Sequence, residues 1–202
     1  MSDSWKEVKV KMWARIKELE KAIPAYEYSE AHNVNATDEK VKEIFLKELR
    51  ESKKSLFYML ESAYEQQKEG MTRDVLKLRD DIDIFLDEVK IKHTIKWPED
   101  IPLEFLEKIV IHDSDIIKEL PKLNQKLEEA GKILMDLEKE RPGAVPFDRE
   151  QEDKLHSRLS EAKRLADELV KLFKEREMLL NLRHIRRERE YDDMRREMET
   201  KV

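Results

Sequence analysis

The sequence predicts an all-α protein: an elongated helical bundle with two antiparallel helical hairpins, the second a coiled-coil hairpin with a long C-terminal helix. Three observations predict it. Only three of the 202 residues are glycine and six are proline, too few for the many tight turns of an α/β fold. Charged residues make up 44% of the chain and apolar ones 39%, with Glu, Lys, Leu and Arg in excess, a composition suited to long amphipathic helices. Apolar residues also recur at three- and four-residue steps over most of the chain, the period of a helix face.

The first helix is expected over residues 4–23. Ser4 stands three residues before Glu7, a capping-box spacing. Trp5, Val8, Met12, Ile16, Leu19 and Ile23 then form one apolar face. Pro24 ends or kinks this helix because it has no N–H for the ladder. Residues 25–36 read as a connector. Thr37 or Asp38 caps a second helix running to about Glu69, with the inward stripe Val41, Phe45, Leu49, Ser52, Leu56, Leu60 and Ala63. Gly70 is placed to stop it in a left-handed cap. Thr72 starts a third helix with Val75, Leu78, Ile82, Phe85 and Val89 inward. The short connection makes the second and third helices antiparallel neighbours.

Residues 89–112 carry a mixed signal. Apolar and charged residues alternate from Val89 to Trp97, a strand period, and "KIVIHD" at 108–113 could pair with it as a small β-hairpin. A helix end followed by a loop is the favoured reading. "WPEDIP" must be extended or turned, since proline disfavours helix in the residue before it.

The second half carries a heptad seam: Ile116, Leu120, Leu123, Leu127, Ala130, Leu134 and Leu137. Pro121 lies inside it and predicts either a kink or a helix start nearby. "RPGAVPFD" at 141–148 makes a turn. Asp148 then caps a last helix whose seam is Leu155, Leu159, Ala162, Ala166, Leu169, Phe173, Arg176 and Leu180. Counted back from the turn, residue 176 lies opposite residue 113. The expected organisation is residues 1–92 as N-terminal helices, 93–113 as connector, and 114–202 as the coiled-coil hairpin with an overhanging helix.

That overhang is the main functional lead. Residues 177–200 have no partner in their own hairpin, and a long unpaired helix is marginal in water unless something covers its apolar side. Leu180, His184, Arg187, Tyr191, Met194 and Met198 form a thin seam for a protein partner, a second copy of the chain among the candidates. The same stretch holds Arg183, Arg186, Arg187, Arg189, Arg195 and Arg196, the basis of an alternative reading as a nucleic-acid- or ribosome-associated factor. Acidic residues fall between these arginines, and pairs such as Arg186–Glu190 and Arg189–Asp193 answer one another along the helix. Nucleic acid is therefore the less favoured partner. The net charge of −6 agrees.

The remaining inventory argues against catalysis. There is no cysteine, which excludes disulfides, thiolate chemistry and Cys-ligated zinc. None of His32, His93, His112, His156 and His184 sits in a metalloprotease or carboxylate-bridged metal motif. Glu152 and His156 share a helix face, and Asp80, Asp83 and Asp87 form an acidic stripe; both read as solvated surface. The three glycines are too scattered for a phosphate loop. Trp5, Trp13 and Trp97 read as core anchors, with Trp97 beside Pro98 also a candidate contact. No signal peptide is apparent, and the apolar runs are far too short to span a membrane. The expectation is a soluble cytoplasmic, non-enzymatic helical scaffold or adaptor without a cofactor or metal, acting through coiled-coil contacts with protein partners and self-associating.

Overall fold

The computed structural model describes residues 3–65, 69–91, 95, 102–140 and 149–181. Six helices account for nearly all of them: α1 (Asp3–Lys11), α2 (Trp13–Ala22), α3 (Ala31–Glu65), α4 (Glu69–Lys90), α5 (Leu103–Glu140) and α6 (Arg149–Leu180). The protein is all-α, with no strand among the described residues.

The expected first helix is two. Met12 leaves helical geometry, with φ −113° and ψ 25°. Its N–H still reaches the Val8 carbonyl (2.8 Å), and its own carbonyl accepts the Ile16 N–H (3.0 Å), so the break is a bend in the ladder. Ser4 lies inside α1, after Asp3, and is not its cap. The apolar stripe is buried on both sides of the bend, at Trp5, Val8, Ile16, Leu19 and Ile23. Trp13 faces outward and is 63% exposed, so it is not a core anchor.

After α2 the chain turns at Pro24. The Tyr26 N–H donates to the Ile23 carbonyl (3.2 Å), and Ala25 has φ 60°. Proline followed by a left-handed residue is the pattern of a type II turn, which normally selects glycine at the second position. Helix α3 then starts at Ala31, earlier than the Thr37 or Asp38 cap predicts. Both residues are buried inside the helix. Thr37 Oγ1 donates to the Glu27 carbonyl (2.9 Å) and accepts the Glu27 N–H (3.3 Å). Side chains that suit a cap for their local bonding here serve distant segments: Thr37 one ten residues back, and Asp38 the Arg176 guanidinium on α6.

Gly70 is also reassigned. It lies in the first turn of α4, outside the left-handed region, and caps nothing. Helix α5 begins at Leu103, so residues 108–113 are helical and neither a strand nor part of a connector. Leu106, Ile109 and Val110 are buried, extending the seam that continues at Ile116. Packing at helical spacing overrides the β-branched composition. Ile95, the one residue described between 92 and 101, is tied to α3: its N–H donates to Asn35 Oδ1 (3.0 Å) and its carbonyl accepts from Asn35 Nδ2 (3.3 Å). Pro121 neither starts nor ends α5; it is exposed within the helix, where its missing N–H leaves the Ile117 carbonyl without its i+4 donor.

The chain forms two compact units, each discontinuous in sequence, whereas the expected division followed chain order. One comprises Met1–Asp38, Thr94–Ser114 and Leu172–Val202; the other comprises Glu39–His93 and Asp115–Lys171. Helices α3, α5 and α6 each contribute to both.

The second unit is built from four helical stretches, and its ion pairs give their order. Lys53–Asp83 (2.6 Å) joins α3 to α4, and Phe45 meets Phe85 edge-on at 5.5 Å; these pairs run antiparallel. Lys126–Glu161 (3.2 Å) and Arg158–Glu129 (3.3 Å) join α5 to α6, again antiparallel. His156–Asp74 (3.7 Å) and Lys163–Asp81 (3.9 Å) join α6 to α4 in parallel. Ser52 Oγ donates to Asn124 Oδ1 (2.5 Å), and Asn124 Nδ2 donates to Glu48 Oε2 (2.7 Å), joining α3 to α5. Ser52 thus holds its place in an otherwise apolar stripe because a partner helix satisfies it. The other stripe residues are buried as predicted: Val41, Phe45, Leu49, Leu56, Leu60 and Ala63 on α3, and Val75, Leu78, Ile82, Phe85 and Val89 on α4. On α5 the seam is buried from Ile116 to Leu134, and on α6 from Leu155 to Leu169; the remaining α6 seam residues, Phe173, Arg176 and Leu180, are buried in the first unit.

Candidate functional site

The first unit is organised around one buried charge. Arg176, on the α6 seam, is 0% exposed. Its Nε donates to Asp113 Oδ1 on α5. Its Nη1 donates to Asp38 Oδ1 on α3 (2.5 Å) and, more weakly, to Glu177 Oε1 (3.3 Å). Its Nη2 donates to the Tyr28 hydroxyl (3.0 Å). The Tyr28 and Tyr26 hydroxyls in turn both donate to Asp113 Oδ2 (2.7 and 2.8 Å). The turn at Pro24–Ala25 feeds these tyrosines inward. Their rings pack edge to face at 5.3 Å, with Trp5 against both at 6.2 and 6.0 Å.

The electrostatics follow from burial. Loss of water by itself would lower the Arg176 pKa; the charge of Asp113, with Tyr28 and Asp38, outweighs this and pushes it well above its usual value. Burial raises the Tyr26 phenol well above its ordinary range, and the Asp113 charge adds to it. Tyr28 is also raised well above that range by burial, against the lowering effect of Arg176. All three nitrogens of the guanidinium are engaged, and the five side chains are sealed from solvent. Such a network can fix the positions of α3, α5, α6 and the 23–30 segment. It offers no open valence to a substrate.

The sequence-predicted site residues fall elsewhere. Leu180 is buried in the first unit. His184, Tyr191, Met194 and Met198 lie outside the described residues, as do Arg183, Arg186, Arg187, Arg189, Arg195 and Arg196. The turn at 141–148 and Trp97 are outside them too. The acidic stripe on α4 is answered by bases: Asp80 by Arg79 (2.8 Å), Asp83 by Lys53 (2.6 Å) and Asp87 by Lys90 (2.8 Å). His156 faces Asp74 across a cleft of about 430 Å³ that Glu152 also lines. Among the described residues no three His, Asp or Glu side chains are grouped to hold a metal ion, and no helix is long and apolar enough to cross a membrane.

Sequence reasoning placed Arg176 on a buried seam opposite residue 113 and drew no pairing from it. An arginine at a core register requires a buried carboxylate, and Asp113 stands at the counted position. Asp38, Tyr26 and Tyr28 gave no such signal.

The second unit also leaves several large apolar side chains open to solvent. Phe57, Tyr58 and Tyr64 on α3 are 54%, 50% and 63% exposed, and Met135 on α5 is 48% exposed. Phe57 and Tyr58 rest against each other at 6.3 Å. Between α3 and α5 runs an apolar notch with Met59, Leu127 and Leu134 at its floor. No protein-family model, curated protein or solved structure matches the chain.

Proposed function

We propose that this chain is a non-enzymatic helical scaffold or adaptor that works through protein–protein contacts, self-association among them. The observation that carries this reading is the row of large apolar side chains open to solvent on α3 and α5: Phe57, Tyr58, Tyr64 and Met135. The core registers of these helices are already filled, so these side chains are surplus to the fold. Aromatic residues and methionine are the types enriched in protein interfaces, and a few of them usually carry most of the binding energy. The coiled-coil pairing of α5 with α6 belongs to this reading, supported by their antiparallel ion pairs and heptad seams. So does the segment beyond Asn181, which carries His184, Arg187, Tyr191, Met194 and Met198.

Sedimentation equilibrium of the full chain tests it, beside the Phe57→Ser/Tyr64→Ser variant and a chain ending at Asn181. The parent is expected to self-associate or retain a co-purifying protein, and the double variant should weaken that by about tenfold or more. A parent that stays monomeric at every concentration and retains no partner would refute the proposal.

A further inference from the structure

The outer face of α3 carries a charge order that the fold of one chain leaves unanswered. Arg50 and Lys54 precede Phe57 and Tyr58 on this face, and Glu61 and Glu65 follow them, at three- and four-residue steps; all six are exposed. The four charged residues enter no ion pair among the described residues. Within the helix their order is unfavourable. Arg50 and Lys54 are like charges four residues apart, and so are Glu61 and Glu65, a repulsive spacing in both cases. The two acids also stand at the C-terminal end of α3, where the helix dipole favours cations and where the last turn holds no base. A stripe that runs basic, aromatic, acidic thus works against the helix that bears it.

Turned end for end, the same order is complementary to itself. We infer that α3 binds the α3 of a second copy of this chain, antiparallel, about a two-fold axis that passes between Phe57 and Tyr58. In that register Phe57 of each copy lies beside Tyr58 of the other, Lys54 stands opposite Glu61, and Arg50 stands opposite Glu65. Each pairing occurs twice, because a two-fold interface brings the same patch of both copies together. Glu51, the exposed acid in the basic half, comes opposite Tyr64, whose hydroxyl can donate to it. The repulsions along each helix are then offset by attractions across the pair, and charge matching of this kind fixes orientation and register. A parallel pairing would set Arg50 and Lys54 against their own copies, and Glu61 and Glu65 likewise. Every residue involved belongs to the second unit. This inference rests on the self-association in the adaptor reading and adds the face, the partner and the orientation.

Sedimentation equilibrium of three full-length variants tests it, with circular dichroism to confirm their helicity. Glu61→Lys/Glu65→Lys makes the four charges all basic, and Arg50→Glu/Lys54→Glu makes them all acidic. Each alone should self-associate at least about tenfold more weakly than the parent. An equimolar mixture of the two should form a mixed pair about as tight as the parental one, since every charge then faces its opposite. The fourfold exchange that combines both sets reverses every sign and keeps the stripe self-complementary. It should associate within about threefold of the parent, and it covers the case in which a double variant fails to fold. A parent whose self-association neither double variant weakens, or a mixture no tighter than its components, overturns this pairing and leaves the adaptor reading standing. A monomeric parent that retains a different protein does the same. A parent that stays monomeric and retains nothing removes both.

Discussion

Replacing Arg176 by methionine tests the central feature of the first unit. Methionine keeps most of the side-chain volume, so the packing change is small. What is lost is the positive charge between two buried carboxylates, Asp113 and Asp38, which are 0% and 4% exposed. Asp113 would keep its two tyrosine donors, but the cation that bridges the two carboxylates would be gone. Removing one partner of a buried ion pair costs about 3–5 kcal/mol, because the remaining charge stays out of water. A domain's whole stability is about 5–15 kcal/mol, so the variant should sit near the edge of folding at neutral pH. Urea unfolding followed by near-ultraviolet circular dichroism reports on this cluster, since Trp5, Tyr26 and Tyr28 are packed together within it. Adding Asp113→Asn and Asp38→Asn to Arg176→Met removes both buried carboxylate charges and should restore a large part of the loss. A loss below about 1 kcal/mol for Arg176→Met, the range of an exposed ion pair, would refute the reasoning, and so would a triple variant no more stable than the single one.

Two further outcomes follow from the same unit. Tyr26 and Tyr28 have folded pKa values raised well above their ordinary 10.0, so the folded state keeps both protons where the unfolded chain gives them up. Stability from these two groups is therefore intact below pH about 10 and falls above it, by about 2.7 kcal/mol per pH unit for two protons. Alkaline denaturation of the parent against Tyr26→Phe/Tyr28→Phe checks this; an equally steep alkaline loss in the variant counts against it. Ala25→Gly should stabilise the protein by up to about 1 kcal/mol, because Ala25 holds φ 60°, which costs a side-chain-bearing residue about 1–2 kcal/mol, partly offset by the greater freedom of glycine in the unfolded chain. A lowered melting temperature in that variant would show that the strain is not there.

The sequence by itself determined the helical class and the buried faces. Helical periodicity is a local property, and the apolar side of a helix is visible in the spacing of its residues whatever it packs against; hence Val41 to Ala63, Val75 to Val89 and Leu155 to Leu180 lie where their spacing puts them. Even the register of α6 against α5 was legible, because counting back from a turn fixes which residues face each other, and Arg176 does meet Asp113. Tertiary structure decided the rest. Thr37 and Asp38 look the same in sequence whether they cap a helix or bond to a distant segment, since their short polar side chains can do either. Tyr26 and Tyr28 sit in a stretch with no periodicity, so nothing local marks them as buried. "KIVIHD" has strand-like composition and is helical because Leu106, Ile109 and Val110 pack as one face with the seam that follows. A polar group's partner depends on which segments the fold brings within about 3 Å, and for the Arg176 cluster those segments come from four separate parts of the chain.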